Sequence, residues 1–458
     1  MRDLLRATAE HAADHLEAQA EGPIRPDASA GEILRTIDAP LSDAPTDAGE
    51  VVDALVRDAA PGLMHIGSPR FFGWVCGGAL PAAVAADWLV TAWDQNAGGA
   101  TIAPATSAIE ELAGRWCVEL LGLPEGTSFG FVTGCQMAHV TALAAARHAV
   151  LARAGWDVDE DGLNGAPRIR VLCGEERHVT IDRALRLLGL GVRAVEAIAA
   201  DETGAMRADA LAEALRDVDG PAIVCAQAGN VNSGVVDPLP EIVEAAHAAG
   251  AWVHVDGAFG LWAAASPRRR AEVAGIERAD SWATDAHKWL NVPYDCGIAL
   301  VADAEAHRAA MTAQAAYIED AAATGGARDP LDFNPEFSRR ARGVPVYAAL
   351  RSLGRSGVAE LVDRLCDCAE RFAERLGAEP GVEIPARGLN QVLVRWDDDA
   401  ATEAALAGVQ SDGTCFMSGT TWQGRPAMRI SVSNWQTTLA DVDRSVEAVL
   451  GAAAGAPA

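Results

Sequence analysis

Residues 281–289 read Ser-Trp-Ala-Thr-Asp-Ala-His-Lys-Trp, an apolar run of strand type that ends in charged side chains. Residues 251–259, Ala-Trp-Val-His-Val-Asp-Gly-Ala-Phe, have the same form, with Asp256 directly after the apolar run. In an open sheet of parallel strands, ligands bind beyond the carboxyl ends of the strands. The two segments therefore predict an α/β protein whose site includes Asp256 and Lys288.

Apolar, β-rich runs alternate with amphipathic helical stretches from about residue 100 onward, which indicates a mostly parallel sheet covered by helices. One of these helices is predicted at 240–249, because Pro240 is typical of a helix start and Gly250, directly after the segment, is typical of a helix end. The buried strands that we expect are 169–173, 222–226, 251–255, 281–284 and 297–301.

Four parts are predicted along the chain: a helical segment 1–65, a large α/β domain 66–320, a mobile lid loop 321–338 and a small α+β domain 339–458. The lid is expected because its segment contains Thr-Gly-Gly, Arg-Asp-Pro and Asn-Pro, which disfavour regular structure. In the last part we expect long helices at 346–354 and 358–376 and strands near 391–396 and 428–433.

Charge and composition exclude some classes of protein. The 458 residues carry a formal net charge of −27, which repels a polyanion and disfavours nucleic-acid binding. We find no secretory signal and no uncharged apolar run of roughly 18 residues, so no membrane partner is expected. Nine scattered cysteines without a CxxC pair predict reduced thiols, a cytoplasmic location and no metal site.

Lysine occurs once, at Lys288, so the 37 basic residues include 37 − 1 = 36 arginines. Arginine can replace lysine where only positive charge is needed, but it cannot supply a neutral amine near physiological pH. A lysine that forms a Schiff base cannot be replaced in this way. The surviving lysine therefore indicates covalent amine chemistry, with chance survival as the alternative.

Three other features follow predicted strands. Asp256 offers a carboxylate, or alternatively a turn or helix-capping group. His178 offers an imidazole, or alternatively a structural histidine. The glycine turn 130–136 opens a helix expected at 137–149 and can bind an anion with its backbone N–H groups. Pyridoxal phosphate requires an amine, a carboxylate for its ring nitrogen, a platform for its ring and an anion site, so the set predicts this cofactor.

With these residues the sequence resembles the group II pyridoxal-phosphate decarboxylases, which include glutamate and aromatic amino acid decarboxylases. Residues 254–258, His-Val-Asp-Gly-Ala, resemble the family's His-Val-Asp-Ala-Ala, and residues 287–289 match its His-Lys-Trp. The similarity extends from His65 and Ser-Pro-Arg-Phe-Phe-Gly at 68–73 to Met-Arg-Ile-Ser at 428–431. It implies an aspartate-aminotransferase-like fold, with a large sheet domain and a smaller α+β C-terminal domain.

The resemblance also implies roles for residues. Lys288 would form the internal aldimine, Asp256 would pair with the pyridine nitrogen, Ala258 would pack beneath the ring, His178 would stack on it, and His287 would help to hold phosphate. The further cofactor-binding residues implied are Thr133, Gly134, Cys135, Gln136, Asn230 and Thr284. The substrate-binding residues implied are Phe71, Trp74, Asn96, Phe333 and Arg429, the last as partner of the substrate α-carboxylate or alternatively in a salt bridge between domains.

Three positions depart from the family pattern. Gln136 stands where relatives have a Ser or Thr hydroxyl on the phosphate, and Asp285 replaces an Asn or Ser before the His-Lys pair. Phe333 stands nearest to the position of the lid tyrosine, which in the family comes from the neighbouring subunit and donates a proton. Phenylalanine cannot donate a proton, so we hypothesise that the product is not a simple amine.

The function predicted is decarboxylation of an L-amino acid through aldimine and quinonoid intermediates, in a homodimer with the active site at the subunit interface. Alternatives on the same scaffold are an oxidative deaminase that forms an aldehyde and a carbon–carbon lyase or aldolase. An aminotransferase is disfavoured by the lid and flanking segments, and a noncatalytic protein by the Lys-Asp-His set. No GxGxxG supports a dehydrogenase. The sequence leaves the amino acid substrate open.

Overall fold

The computed structural model describes residues 1–312 and 328–454 of the chain. The helices there are α1 Arg2–Glu21, α2 Ala30–Ile37, α3 Ala48–Ala59, α4 Pro81–Trp93, α5 Pro104–Leu121, α6 Cys135–Arg153, α7 Val158–Asp161, α8 Val179–Leu187, α9 Ala208–Leu215, α10 Leu239–Ala248, α11 Ala304–Met311, α12 Gly343–Gly377, α13 Asp399–Asp412 and α14 Leu439–Ala454. The strands are β1 Phe71–Phe72, β2 Ser128–Val132, β3 Arg170–Gly174, β4 Val195–Ile198, β5 Ala222–Gln227, β6 Trp252–Asp256, β7 Ser281–Asp285, β8 Gly297–Val301, β9 Val382–Glu383, β10 Arg387–Gly388, β11 Gln391–Trp396, β12 Phe416–Trp422 and β13 Arg425–Ser431.

The chain forms two compact units. The larger unit comprises residues 79–370 and 385–393, and the smaller unit comprises residues 1–78, 371–384 and 394–458. The four-part division expected from the sequence stays a prediction. Residues 321–327 of the expected lid lie outside the described residues, and residues 328–338 contain a short 3-10 turn, Pro330–Phe333.

A seven-stranded sheet forms the centre of the larger unit, in the order β2-β8-β7-β6-β5-β3-β4. The neighbouring pairs from β7 to β4 are parallel, and β8 is antiparallel to both β2 and β7. The predicted mostly parallel sheet is therefore confirmed. Because β2 runs in the same direction as β6 and β7, the carboxyl ends of all three strands meet at one edge of the sheet.

Helix α6 packs against β2, β6, β7 and β8. Its inward face consists largely of alanine, including Ala138, Ala142 and Ala145, all fully buried. Small side chains let the helix lie close to the sheet, which brings the start of α6 to the edge where β6 and β7 end. Gly297 permits a second close approach, since a Cβ atom there would lie 2.3 Å from the backbone carbon of Gly134.

Three predicted helices are observed with different limits. The helix expected at 240–249 is α10, which buries Ile242, Val243 and Ala246. The helices expected at 346–354 and 358–376 form one element, α12, interrupted at Gly354, where φ is 61°. A positive φ is accessible to glycine at little cost, so the chain changes direction there.

In the smaller unit β1 pairs in parallel with β12, and β12 forms an antiparallel hairpin with β13. The two-residue turn of this hairpin, Gln423 and Gly424, has positive φ at both positions, as tight hairpin turns require. Helices α13 and α14 pack against each other, and α13 packs on the hairpin. Among the described helices, none combines the length and apolar character that a transmembrane segment requires.

Candidate active site

Lys288 lies just beyond β7, and its Nζ atom is 3.0 Å from the Oδ2 atom of Asp285. Burial lowers the pKa of Lys288, but the carboxylate of Asp285 and other nearby anionic groups outweigh burial, so its pKa is raised above the ordinary value. The ammonium form is therefore favoured until a ligand changes the charge around it. The amine is held in place by a neighbouring carboxylate at the end of the same strand.

Asp285 also contacts the first turn of α6. Its Oδ1 atom accepts a hydrogen bond from the backbone N–H of Cys135 at 2.6 Å, and the Nε2 atom of His287 lies 3.5 Å from the same oxygen. A helix N-terminus carries partial positive charge and unsatisfied N–H groups, so it attracts an anion. Asp285 therefore occupies part of the anion site that the glycine turn predicts.

His287 is oriented by two contacts. Its Nδ1 atom accepts a hydrogen bond from the backbone N–H of Cys296 at 3.1 Å, which places its proton on Nε2 in the neutral form. Its ring lies 4.4 Å from the ring of Tyr294. Burial lowers the pKa of His287, which favours this neutral form. The Nε2–H group is thus directed towards Asp285 and the start of α6.

Asp256 ends β6 and is almost fully buried. The Nε2 atom of His139 lies 3.4 Å from its Oδ2 atom, and its Oδ1 atom accepts a hydrogen bond from the backbone N–H of Ala258 at 3.2 Å. The thiol of Cys135 donates to the same Oδ1 atom at 3.9 Å. Burial raises the pKa of Asp256, but His139, His178 and Lys288 outweigh it, so its pKa is well below the ordinary value. The carboxylate is ionised at neutral pH.

Small residues form the surface next to this carboxylate. Ala258 packs against an apolar cluster that includes Val132, Ala138 and Ala283. The hydroxyl of Thr284 is fully buried and has no hydrogen-bond partner among the described residues. A buried hydroxyl without a partner is costly, which favours a ligand at this point. Amine, ionised carboxylate, flat apolar surface and helix N-terminus together fit pyridoxal phosphate.

His178 caps the N-terminus of α8. Its Nδ1 atom lies 2.7 Å from the hydroxyl of Thr180, and the backbone N–H of Thr180 is directed at the same atom. Gln136 reaches the same region, because its amide nitrogen donates to the carbonyl oxygen of Thr180 at 3.3 Å. The buried amide oxygen of Gln136 has no partner among residues 1–312 and 328–454. The side chain of Thr133 is exposed beside this turn.

The structure places Asn230 in a loop contact. Its amide nitrogen donates to the carbonyl oxygen of Glu176 at 2.9 Å, and its amide oxygen accepts from the backbone N–H groups of Asn232 and Ser233. These bonds use the amide to join the loop after β5 to the loop after β3. The side chain of Asn96 also joins two segments of backbone, because its amide oxygen accepts a hydrogen bond from the backbone N–H of Arg339 at 3.2 Å.

Phe333 is not brought together with Lys288 within this chain. Its ring centroid lies 5.3 Å from that of His307 and 4.1 Å from the guanidinium carbon of Arg328. Arg328 also lies over the ring of Phe129, near the start of β2 rather than its carboxyl end. The Phe333 side chain is thus part of a packed aromatic–arginine cluster.

Three predicted substrate residues belong to the smaller unit. Phe71 is fully buried and stacks on Phe416 with ring centroids 5.2 Å apart. Trp74 packs against the same Phe416 ring, but it is 53% exposed and can therefore contact a ligand. Arg429 lies on β13 and donates from Nε to the Ser418 hydroxyl at 3.3 Å. Burial lowers the pKa of Arg429.

His139 is the site residue that the sequence did not single out. It follows Cys135 by four residues on α6, so helical periodicity places the two on one face. The Sγ atom of Cys135 lies 3.4 Å from its Nε2 atom. With Asp256, these residues offer three ligand-type atoms within 4.8 Å of one another, a set that could also hold a metal ion.

The parallel sheet, the strand-end lysine and the ionised carboxylate define a pyridoxal-phosphate-dependent enzyme. The chain belongs to the pyridoxal-dependent decarboxylase family: the family model described as "Pyridoxal-dependent decarboxylase conserved domain" matches residues 31–396. The protein is therefore a carboxy-lyase that uses pyridoxal phosphate to decarboxylate an amino acid. The resemblance predicted from residues 254–258 and 287–289 is confirmed.

Known proteins support this assignment. Tryptophan decarboxylase 1 of Oryza sativa is 27% identical over 467 residues, covering 95% of this chain and 90% of that protein. L-2,4-diaminobutyrate decarboxylase of Rhizobium meliloti is 29% identical, covering 90% of this chain and 83% of that protein. The crystal structure of Oryza sativa TDC with PLP and tryptamine has a TM-score of 0.91 at 24% identity, covering 99% of this chain and 97% of that one.

Proposed function

We propose that Lys288 binds pyridoxal phosphate covalently and that Asp256 holds a proton on the ring nitrogen during decarboxylation of an L-amino acid. One observation carries this proposal. The carboxyl ends of β6 and β7 deliver an ionised carboxylate and the chain's sole amine side chain to one buried site, where Cys135 contacts both Asp256 and Asp285.

The cofactor supplies an electron sink conjugated with the substrate Cα atom. Ala258 would form the surface beneath its ring, and His178, fixed by Thr180, would stack on it. The first turn of α6 and His287 would hold the phosphate, with Thr133, Gly134, Gln136 and Thr284 as further cofactor-binding residues. Asn230 positions the loop after β5 rather than touching the cofactor, because backbone groups occupy its amide.

Arg429 is proposed to bind the substrate α-carboxylate, because a guanidinium binds a carboxylate through two parallel hydrogen bonds. Trp74 is the better candidate for contact with the substrate side chain, since Phe71 is enclosed by packing. The relatives named above act on an aromatic amino acid and on a diamino acid, so family membership leaves the side-chain class open. We infer only an L-amino acid.

A cytoplasmic homodimer is part of the proposal. Helices α1, α2 and α3 bury no residue within this chain. They expose apolar side chains over a large area, and such patches favour a protein partner. A second copy of the chain would cover them. The exposed apolar residues of these helices are Leu5, Leu16, Leu34, Ile37, Val51, Leu55 and Val56.

The test of function is product analysis. Purified, cofactor-loaded protein is incubated in air with a panel of L-amino acids, and products are measured by mass spectrometry with Lys288→Ala as the blank. We expect one amine with one equivalent of carbon dioxide. An aldehyde with ammonia and peroxide would contradict the amine product, and a new carbon–carbon bond would move the assignment to lyase chemistry.

The test of assembly uses the same preparation. Light scattering is expected to give twice the chain mass of 47.6 kDa. A Leu34→Asp variant should weaken the dimer if α2 is part of the interface. A wild-type protein at the monomer mass would contradict the proposed assembly.

A further inference from the structure

A continuous line of buried side chains runs from Asp256 into the sheet. The Nε2 atom of His139 lies 3.4 Å from Oδ2 of Asp256, and its Nδ1 atom lies 2.9 Å from Nε2 of His254. The Nδ1 atom of His254 is 2.9 Å from the hydroxyl of Ser281, which accepts from the indole N–H of Trp252 at 2.8 Å. All five residues are at most 5% exposed.

The groups at the two ends of this line, together with the one acceptor left to the Ser281 hydroxyl, set the directions of its hydrogen bonds. The indole of Trp252 can only donate, and the carboxylate of Asp256 can only accept. Ser281 accepts from the indole, and among the described residues its hydroxyl has one further partner, Nδ1 of His254, to which it donates its proton. His254 then donates from Nε2 to Nδ1 of His139, and His139 donates from Nε2 to Asp256. One tautomer of each histidine satisfies all four contacts.

His254 serves this arrangement in the neutral form. Burial, followed by the nearby His139, lowers the pKa of His254 to about 3. A neutral His254 has one donor and one acceptor, which matches its two contacts. If His254 adopted the other tautomer, His139 would have to donate to it from Nδ1 and would present a lone pair to the carboxylate. The arrangement therefore depends on Ser281, three contacts from Asp256.

We propose that His139, His254 and Ser281 are positioning residues that keep Asp256 ionised, so that the shared proton stays on the cofactor's ring nitrogen. An N–H donated to a carboxylate makes it a weaker base. Burial penalises charge, so it favours transfer of the proton from the pyridinium to the carboxylate, which leaves a neutral acid and a neutral pyridine. The inference rests on the proposed role of Asp256.

The test begins at the far end of the line. Full-length Ser281→Ala is loaded with pyridoxal phosphate labelled with ¹⁵N in the ring, and the ring ¹⁵N resonance is recorded at neutral pH. We expect the resonance to move from the protonated towards the unprotonated position, with cofactor affinity weakened by ~3-fold. An unchanged resonance and an unchanged affinity would overturn the proposal.

A matched control separates this effect from lost packing. Ser128 lies on β2 of the same sheet, and its hydroxyl is 2.8 Å from Nδ1 of the buried His307. Ser128→Ala removes the same group from the same kind of pair, away from the cofactor. It is expected to leave the ring resonance where it is in wild type. An equal shift in both variants would make the effect one of general packing and overturn the proposal.

Substitution of His139 gives a second readout. His139→Phe removes the donor to Asp256 and should weaken cofactor affinity by about 10-fold or more, the fold-change expected for a hydrogen bond to a charged group. His139→Gln retains an N–H donor and should recover much of the protonated resonance. If wild type itself shows an unprotonated nitrogen, the proposed role of Asp256 fails. If wild type is protonated and no variant moves the resonance, only this inference fails.

Discussion

The carboxylate of Asp285 accepts a hydrogen bond from the backbone N–H of Cys135 at 2.6 Å, at the first residue of α6. Its other oxygen lies 3.0 Å from Nζ of Lys288. A negative side chain thus lies where the phosphate of the cofactor is proposed to bind. A phosphate bound at the start of α6 would lie next to this carboxylate, and the two negative charges would repel each other. Asp285 must therefore lose its contact with α6 or turn away when the cofactor binds.

We therefore expect Asp285→Asn to bind pyridoxal phosphate about 10-fold more tightly than wild type, since a like charge is removed from a partly desolvated site. The same change lowers the pKa of Lys288, because it removes the carboxylate that raises it. A lower pKa favours the neutral amine that reacts with the cofactor. The measurement is an absorbance titration of cofactor-free, full-length protein.

Asp303 provides the control for this titration. It caps α11 by accepting from the backbone N–H of Ala306 at 2.9 Å, so it is also a carboxylate at a helix N-terminus. Asp303→Asn should leave cofactor affinity unchanged. Weaker binding by Asp285→Asn would mean that Asp285 supports the cofactor instead of opposing its phosphate.

Lys288→Arg separates charge from covalent chemistry at the same position. Arginine preserves the positive charge beside Asp285 but supplies no neutral amine. We expect this variant to fold with wild-type stability, to retain no cofactor after borohydride treatment and gel filtration, and to have no activity. In wild type, borohydride should fix the cofactor to the peptide that contains Lys288. Labelling of the variant protein's side chains would show that the cofactor bond lies elsewhere.

Most of the sheet and the main site residues could be predicted from the sequence, because both depend on local patterns. The strand predicted at 297–301 is observed as Gly297–Val301, and the other four predicted strands, now β3, β5, β6 and β7, differ from prediction by at most one residue at either end. Asp256 and Lys288 follow their strands directly, so parallel strands bring them to one edge.

Other features depend on pairing between distant residues, which local patterns do not encode. Nothing near His139 in the sequence indicates that it lies between Asp256 and His254, since the three come together only when α6 packs on the sheet. The antiparallel direction of β8 likewise cannot be predicted without the order of the strands in the sheet. The helix end expected at residue 354 coincides with the break at Gly354, where glycine adopts a positive φ at little cost.

The position of Phe333 bears on the product. Its ring packs on Arg328 and His307 in its own chain, and its backbone carbonyl lies close to Gly130. We expect Phe333→Tyr to leave the ratio of amine to aldehyde unchanged and to lower stability slightly, because a hydroxyl must be accommodated in a packed cluster. Mass spectrometry of the products checks the ratio. A shift from aldehyde towards amine would support the hypothesis that Phe333 redirects the reaction.

Two buried histidines predict how stability depends on pH. Burial lowers the pKa of His254 to about 3, and burial together with Arg328 lowers that of His307 to about 3. In the unfolded chain a histidine pKa is about 6.5, so on acidification the unfolded state binds protons that the folded state does not. Above about pH 6.5 these two histidines therefore leave the free energy of unfolding unchanged. As the pH falls from there towards 3, they lower it progressively.

His307→Gln tests this dependence away from the active site. Glutamine can retain the hydrogen bond to Ser128, which lies 2.8 Å from the histidine, but it binds no proton in the unfolded chain. Between pH 7.5 and pH 5.5, wild type should lose about 1.4 kcal/mol more unfolding free energy than the variant, since one proton linkage acts over roughly one pH unit below 6.5. Urea unfolding at the two pH values measures the difference. A pH dependence of His307→Gln parallel to that of wild type would mean that His307 is protonated in the folded protein.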